Sequence, residues 1–416
     1  MTPDGTGGHA RRAGGAAAFA VLGLVLVAFN QRPSVASVPP VLHELGLGLT
    51  GQSFLVTIPV FCFGLGAFAG PYLRRVFGQE WAVFLLMSVL TAAIAVRAGF
   101  LGWTLFPATI VVGLCIANLN VLMPAFVKQR FPDHPGPLTS TYVASATLGP
   151  ALAAGLTVPV FHAFGGSVNA ALGIWALPAL VALLAWSPQL WVARRLKIDE
   201  PRVAVSIGPT TIGGDGSAAG RSLPGKPIWR HSLAWQVMVY MGVGSLVFYG
   251  PLSWLSQIYQ SRGLDPTTAG YLLLVMNFVG MIGSTAAPLL VRRRRDVRLG
   301  VVAFSFITLV GFVGLLVGPN SVAFFWMVVL GVGQGGQFGL ALLLIVIRAG
   351  DDKIAAKLSA MSQSGGYLIA ALGPLVMGGL HSLTAGWLMP ILFLVIANFF
   401  GLAMGYRAAR ERVIAA

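Results

Sequence analysis

Twelve long, nearly uncharged apolar segments constrain the fold of this chain more than any other feature. A membrane core of about 30 Å needs about 20 apolar helical residues to cross it. The segments are too long and too unalternating for the strands of a barrel, so they favour helices. We predict an all-α membrane protein with 12 transmembrane helices, at residues 16–42, 52–73, 80–100, 103–128, 137–162, 168–192, 231–260, 267–291, 298–317, 321–347, 354–380 and 386–406.

The composition supports a surface that faces lipid. Of 416 residues, 56% are apolar and only 9% are charged, whereas a soluble domain has about 25% charged residues. Cys62 and Cys115 both lie in apolar runs, so we expect them to pack in the interior and not to bind metal or form a disulfide. Motifs of hydrolases and of phosphate-binding enzymes are missing. We expect no cofactor, no metal site and no enzymatic activity.

The basic residues predict the orientation. The net charge is +15, and an even number of spans places both termini on one side. That side receives 24 of the 27 basic residues, and the exceptions are Arg32, Arg97 and Arg262. The positive-inside rule makes the basic side the cytoplasm. We therefore expect Arg97 and Arg262 toward the opposite face, and we interpret the basic run 292–295 as a topology anchor, with no nucleic-acid partner.

The first apolar segment raises the question of a signal peptide, because Arg11 and Arg12 precede it. The segment is long, however, and it continues through Asn30 to Pro33 without a convincing small-residue cleavage site. We predict a retained first membrane helix.

A polar stretch at 194–230, rich in Gly, Pro and Ser, predicts a flexible cytoplasmic linker. It divides the chain into an N-terminal six-helix bundle, 1–193, and a C-terminal six-helix bundle, 231–416. The two bundles share local patterns in the same order, which indicates a duplication; examples are Phe29 to Pro33 with Phe248 to Pro251, and Leu148-Gly149-Pro150 with Leu372-Gly373-Pro374. Transporters built from repeats bind solute near the midplane, at the interface of the repeats.

Arg32 is the one basic residue deep within a predicted span. It lies about 16 Å from the outer end of its helix, at about 1.5 Å per residue, which is too far for simple snorkelling. Charge at this depth is costly and usually functional, and a guanidinium presents a planar fork to oxyanions. We favour a substrate anchor. The alternative is a fixed hydrogen-bond donor to carbonyls freed by Pro33.

Neutral polar side chains occur at matching depth in both halves. Each of them could equally form a hydrogen bond between helices, but as a set they predict an aqueous pocket with one cation, neutral donors and aromatic walls. All twelve Asp and Glu residues lie outside the span centres, so no carboxylate proton relay is evident. The predicted solute-binding residues besides Arg32 are Asn30, Asn118, Tyr142, Tyr249, Asn277, Gln334, Gln337, Gln363 and Tyr367.

Several stretches carry a family resemblance. They include Phe29-Asn30-Gln31-Arg32-Pro33, Ile116-Ala117-Asn118, Phe248-Tyr249 and the glycine-rich run 331–338. With twelve spans and a long central loop, the chain resembles the major facilitator superfamily, and within it the cyanate/nitroimidazole transporter (CynX/NimT) branch. The segment 70–78 lacks the acidic residue of the superfamily motif between spans 2 and 3, which puts the usual inner-gate charge interaction in doubt.

The resemblance implies alternating access and a cavity lined by spans 1, 2, 4, 5, 7, 8, 10 and 11. It also implies small, planar, electron-rich substrates. We predict a monomeric secondary active transporter in the bacterial plasma membrane, with both termini cytoplasmic, that moves a small anionic or planar polar solute. Two alternatives stay open: a multidrug or small-metabolite efflux pump, and a membrane receptor that binds without translocating.

Overall fold

The computed structural model describes residues 19–66, 69–99, 102–131, 135–196, 227–294 and 297–414. Within these ranges the regular structure is helical, apart from one isolated bridge between Ala349 and Ile414. Twelve helical segments there are long and apolar enough to cross a membrane, which confirms the predicted fold class. They are spans 1 to 12: Phe19–Val41, Leu49–Gly66, Gln79–Gly99, Leu105–Val127, Leu138–Ala163, Val168–Trp191, Ser232–Gln260, Pro266–Val291, Val297–Val317, Asn320–Ile347, Lys353–Thr384 and Leu388–Ala408.

Some predictions fall outside the described residues. These are the roles of Arg11 and Arg12, the middle of the linker at 197–226, and the last residue of the basic run, 295. They stay predictions.

The helices are numbered here in chain order. They are α1 (19–29), α2 (Pro33–Ala36), α3 (Leu49–Gly66), α4 (Ala69–Phe77), α5 (Gln79–Gly99), α6 (Leu105–Arg130), α7 (Pro135–Ala163), α8 (Val168–Gly173), α9 (Ala176–Leu196), α10 (Ser232–Gln260), α11 (Pro266–Arg294), α12 (Val297–Val317), α13 (Ala323–Ile347), α14 (Asp352–Thr384) and α15 (Leu388–Ala408).

Span 1 is broken in its middle. The helix α1 ends at residue 29, residues 30–32 form a turn, and α2 starts again with Pro33 at its first position. Two short 3₁₀ turns, Pro39–Val41 and His43–Leu45, complete the segment. Proline has no N–H and its ring clashes with the preceding helical turn, so Pro33 favours a break here, although α10 continues through Pro251.

Glycines allow helices to approach closely on both sides of the bundle. A Cβ at Gly335 would overlap the carbonyl of Gly280, and one at Gly339 would overlap the carbonyl of Ser284. These contacts join α11 and α13 along their length. In lipid, such packing replaces the hydrophobic drive that joins helices in water.

The duplicated Leu-Gly-Pro pattern makes the same contact in each half. A Cβ at Gly149 would overlap the carbonyl of Phe29, which is on the first helix of its half. A Cβ at Gly373 would lie 2.7 Å from the carbonyl oxygen of Leu246, also on the first helix of its half. In each case, the fifth span packs against the first through a glycine.

The two sets of six spans meet along α3 with α14 and along α7 with α11. Leu274 packs on Gly155, and Gln257 Nε2 donates to Gln52 Oε1 at 2.8 Å. Gln52 starts α3 and Gln257 ends α10, so this bond joins the sets at the end opposite the basic clusters. A cavity lies between the sets on the other side of this contact.

Candidate functional site

The cavity has a volume of about 110 Å³ and lies between the first six spans and the last six. Seven spans line it: 1, 2, 5, 7, 8, 10 and 11. These are seven of the eight spans that the sequence resemblance implies. Span 4, on α6, contributes no residue to the wall among the described part of the chain.

Arg32 lies at the break of span 1 and lines the cavity. Its Nη2 donates to the hydroxyl of Tyr367 at 3.4 Å, so a cation of one half contacts a hydroxyl of the other. Its Cζ lies 5.9 Å from the ring centroid of Phe63, within cation–π range. Its Nε is buried without a partner. Among the described residues, the structure shows no carbonyl that accepts from Arg32, so the alternative role beside Pro33 finds no support here.

Three aromatic rings form one wall beside the guanidinium. The centroid of Phe63 lies 5.7 Å from that of Tyr367 and 6.4 Å from that of Tyr249, and the two tyrosine rings are 6.3 Å apart. All three line the cavity. Such a wall offers ring faces and edges to a flat solute.

Two amides line the opposite part of the cavity. Gln334 Nε2 donates to the carbonyl of Val247 at 2.9 Å, while its Oε1 is buried without a partner. Val247 lies four residues before Pro251, which has no N–H to bond this carbonyl. Asn277 Nδ2 donates to the carbonyl of Leu273 at 2.8 Å. In both amides the nitrogen is bonded to a backbone carbonyl, and the Gln334 oxygen is left buried and unpaired.

Tyr142 lies next to the cavity and not in its wall. Its hydroxyl donates to Gln31 Oε1 at 3.1 Å, and it is close enough to Arg32 for an electrostatic interaction. It therefore supports the turn that carries Arg32. Gln31, its partner, was not among the predicted site residues.

Four predicted residues do not line the cavity in this structure. Asn30 donates to the carbonyls of Leu26 and Pro178. Asn118 donates to the carbonyl of Leu114. Gln337 donates to Ser305 Oγ and Asn398 Oδ1, and Gln363 is exposed and donates to Ser359 Oγ.

These side chains lie outside the cavity because of their rotation around the helix axis or their position along it. Gln337 lies three residues from Gln334, which turns it about 60° around the helix, enough to point at α12 and α15. Gln363 lies four residues from Tyr367, about 6 Å along the helix axis, which places it on an exposed surface. Asn30 turns away from the cavity as it does on a regular helix.

The sequence also missed parts of the wall. Phe63, Phe248 and Phe338 line the cavity, but an aromatic residue in an apolar span gives no signal that separates it from lipid-facing neighbours. The burial of Arg97 was also not predicted: this residue, in the last turn of α5, is fully buried, and its Nη2 donates to the carbonyl of Ser34 at 2.7 Å.

Twelve helical spans in two sets of six, with a cavity between the sets, are the architecture of transporters built from repeats. The chain belongs to the Major Facilitator Superfamily, whose family model matches residues 20–374. It is therefore a multi-pass membrane protein of a transporter family.

Relatives place it in a branch. The chain is 32% identical over 400 residues to the 2-nitroimidazole transporter of Escherichia coli (strain K12), covering 95% of this chain and 96% of that protein. It is 29% identical over 374 residues to the cyanate transport protein CynX of the same strain, covering 89% and 91%. These matches confirm the predicted resemblance.

A solved structure confirms the fold. The inward-facing, unoccupied crystal structure of a bacterial homologue of the human lysosomal transporter Spinster aligns with a TM-score of 0.72 at 13% identity, covering 95% of this chain and 97% of that one.

Proposed function

We propose that this transporter moves a small anionic or planar polar solute, of the cyanate or nitroimidazole kind, across the bacterial plasma membrane by alternating access, with Arg32 as its anchor. The observation that carries the proposal is the guanidinium of Arg32 in the wall of the central cavity: among the described residues, no carboxylate pairs with it. A buried cation without a counter-ion is costly, and an anionic solute removes that cost when it binds.

The free donors of Arg32 fit an anion or an electron-rich acceptor. Nε is buried without a partner, and the bond from Nη2 to Tyr367 is long at 3.4 Å. A guanidinium binds carboxylate-like and other planar acceptors through two parallel N–H groups. The rings of Phe63, Tyr249 and Tyr367 then confine the solute to a flat shape.

The size of the cavity favours a small solute over a multidrug pump. Its volume is about 110 Å³, whereas pockets for drug-sized ligands have volumes of about 300–1,000 Å³. The names of the two relatives, a 2-nitroimidazole transporter and a cyanate transport protein, support the same class of solute.

The position of the cavity supports alternating access. The bond from Gln257 to Gln52 joins the two sets of spans at the end opposite the basic clusters. Rocking of one half against the other would break this contact and open the cavity there. With the basic clusters and both termini cytoplasmic, the cavity in the structure lies on the cytoplasmic side of the closed contact.

The membrane potential affects import and export of an anion differently. An inside-negative potential opposes entry of an anion by about 2.3 kcal/mol per charge per 100 mV. Import of an anion therefore requires a coupled ion or exchange, and export does not.

The test is counterflow of labelled cyanate and of 2-nitroimidazole into proteoliposomes, with protein-free liposomes subtracted. A charge-assisted hydrogen bond contributes about 1.5–3 kcal/mol, so we expect Arg32→Ala to lower transport by roughly 10–100-fold. Arg32→Lys keeps the charge but loses the planar pair of N–H donors. Its transport rate should lie between those of the wild type and Arg32→Ala.

The matched control is Arg407→Ala, at an exposed arginine in the last turn of α15 that does not line the cavity. It should transport like the wild type. Saturable binding without counterflow would support a receptor, and undiminished transport by a folded Arg32→Ala variant would remove the anchor role.

A further inference from the structure

A second guanidinium lies inside the first six spans. Arg97, on α5, is fully buried, and its Nη2 donates to the carbonyl of Ser34 on α2. Its Nε and Nη1 have no partner. No carboxylate of the described chain pairs with it.

One carbonyl does not account for this cation. Val38 N–H, which would bond Ser34 O in a regular helix, bonds Val35 O instead at 3.3 Å. Ser34 O already accepts from Ser37 Oγ at 3.3 Å. A neutral donor would be enough to pair the Ser34 carbonyl. A buried cation carries, in addition, a desolvation cost that a single carbonyl does not offset.

Arg97 lines a small void of about 10 Å³, which is roughly the space of one water molecule. Three of its walls, Val35, Tyr249 and Leu252, also line the central cavity. They form a partition one side chain thick between the two spaces.

The void lies on the far side of the partition from the basic clusters. Its other walls include Pro39, Leu55 and Val56, near the connection of spans 1 and 2. The bond between Gln52 and Gln257 closes the same end. Opening the halves at this end would widen the void and join it to the cavity.

We propose that Arg97 is a second binding position for a small monovalent anion, occupied when the partition of Val35, Tyr249 and Leu252 moves and the solute leaves Arg32 toward the side opposite the basic clusters. Both guanidinia attach to the four-residue helix α2: Arg32 precedes it, and Arg97 holds its Ser34 carbonyl. The anion thus passes from one cation to the next around a single turn of backbone. This inference rests on the proposed function.

The experiment compares an anion with a solute that cannot ionise. Counterflow of cyanate and of 1-methyl-2-nitroimidazole is measured in proteoliposomes for the wild type, Arg97→Gln and Arg97→Lys. We expect Arg97→Gln to lower cyanate transport about tenfold, by the energy of one charge-assisted bond, and to leave azole transport within about twofold. Arg97→Lys should restore most of the cyanate transport. A structural role alone would lower both solutes together, and that result would overturn the proposal.

A second pair of variants leaves Arg97 in place, in case its substitution prevents folding. Thr109 lines the same void. Thr109→Asp would place a carboxylate beside the guanidinium and block the anion, so cyanate transport should fall selectively. Thr109→Asn is the matched neutral control and should not discriminate between the two solutes. Equal cyanate transport by these two variants would also overturn the proposal.

The outcomes separate this inference from the function itself. A wild type that moves neither solute contradicts the proposed function. A wild type whose cyanate transport depends on Arg32, but whose variants at Arg97 and Thr109 show no charge selectivity, contradicts only the second position. Transport of the azole alone also contradicts it.

Discussion

The first spans of the two halves share a local sequence pattern but differ in backbone continuity and in the side chains that bond them. Span 1 breaks at Pro33 and carries Arg32 at the break, whereas α10 continues through Pro251 without interruption. A second cation, Arg97, donates to the Ser34 carbonyl of span 1. In α10 the corresponding donor is a neutral amide, Gln334, which bonds the Val247 carbonyl that Pro251 leaves free.

The same contrast extends through the described spans. Within the last six spans as described, the buried polar side chains are amides and hydroxyls, such as Asn277, Gln337 and Asn398. The buried Arg348 lies just past the end of span 10, where it donates to the carbonyls of Ala408 and Ala409. Of the described spans, the first six contain the two guanidinia at the interior, Arg32 and Arg97, so the cavity has positive charge on one side and neutral hydrogen-bonding groups on the other.

The largest expected effect tests whether the glycine contact matters equally in both halves. A Cβ at Gly149 overlaps the carbonyl of Phe29, beside the break, while a Cβ at Gly373 lies 2.7 Å from Leu246 O. Overpacking costs about 1–3 kcal/mol. We expect Gly149→Ala to lower the melting temperature in detergent more than Gly373→Ala.

The control for this pair is Gly379→Ala, where a Cβ meets nothing within 4 Å. It should leave the melting temperature nearly unchanged. Equal losses at Gly149 and Gly379 would show that the close contact at the break is not under strain.

A second prediction concerns an amide that only stabilises. Gln337→Leu removes the donor to Ser305 Oγ and Asn398 Oδ1 and leaves a buried acceptor unpaired. We expect a loss of about 2 kcal/mol in unfolding free energy, measured by thermal or denaturant unfolding. The KM for transported solute should not change, because the side chain lies outside the cavity. A raised KM with unchanged stability would contradict this assignment.

A third prediction compares the amide of the cavity with the cation. Gln334→Leu removes an accepting oxygen from the wall and the donor to Val247 O. We expect the KM to rise about 2–10-fold, because a neutral hydrogen bond contributes about 0.5–1.5 kcal/mol. The loss should be smaller than that of Arg32→Ala in the same assay. The reverse order would break the asymmetry described above.

The smallest effect concerns the start of the second span in each half. Asp265 precedes Pro266 and accepts from the N–H of Thr268 at 2.9 Å, which caps α11. Hydrogen bonds from Thr268 lower the pKa of Asp265. The residue before α3 is Gly48, which has no side chain to do this.

The depressed pKa fixes the sign of the pH dependence. The stabilisation by Asp265 is complete above its unfolded pKa of about 4 and is lost as the pH falls through the lower folded value. Asp265→Asn keeps a capping oxygen but loses the charge, so we expect a loss of about 0.5 kcal/mol at pH 7. The difference from the wild type should shrink below about pH 4. A difference that grows on acidification would contradict the cap.

The twelve membrane spans were predicted well from the sequence because hydropathy reports lipid exposure directly. All twelve spans match, with ends shifted by a few residues. In span 2 the described ranges stop at Gly66, the end of α3, and resume at Ala69, the start of α4. Arg32 in the cavity was also predictable, because a deep charge needs a polar environment.

Rotation and packing were harder to predict. Gln337 and Gln334 share a helix face in sequence, yet one faces α12 and the other faces the cavity. Arg97 sits near a span end, where a charge is ordinary, and only the turn at Ser34 shows why it is buried. The ring wall at Phe63 is invisible to a search for polar residues.

The missing counter-ion at Arg32 has a consequence for the empty carrier. Among the described residues no carboxylate neutralises the guanidinium, so a return stroke without solute would enclose a bare positive charge between two sealed ends, in a medium of low dielectric constant. A return stroke with an anion aboard encloses a neutral pair. We therefore expect one-for-one exchange across the membrane to run faster than net flow in either direction.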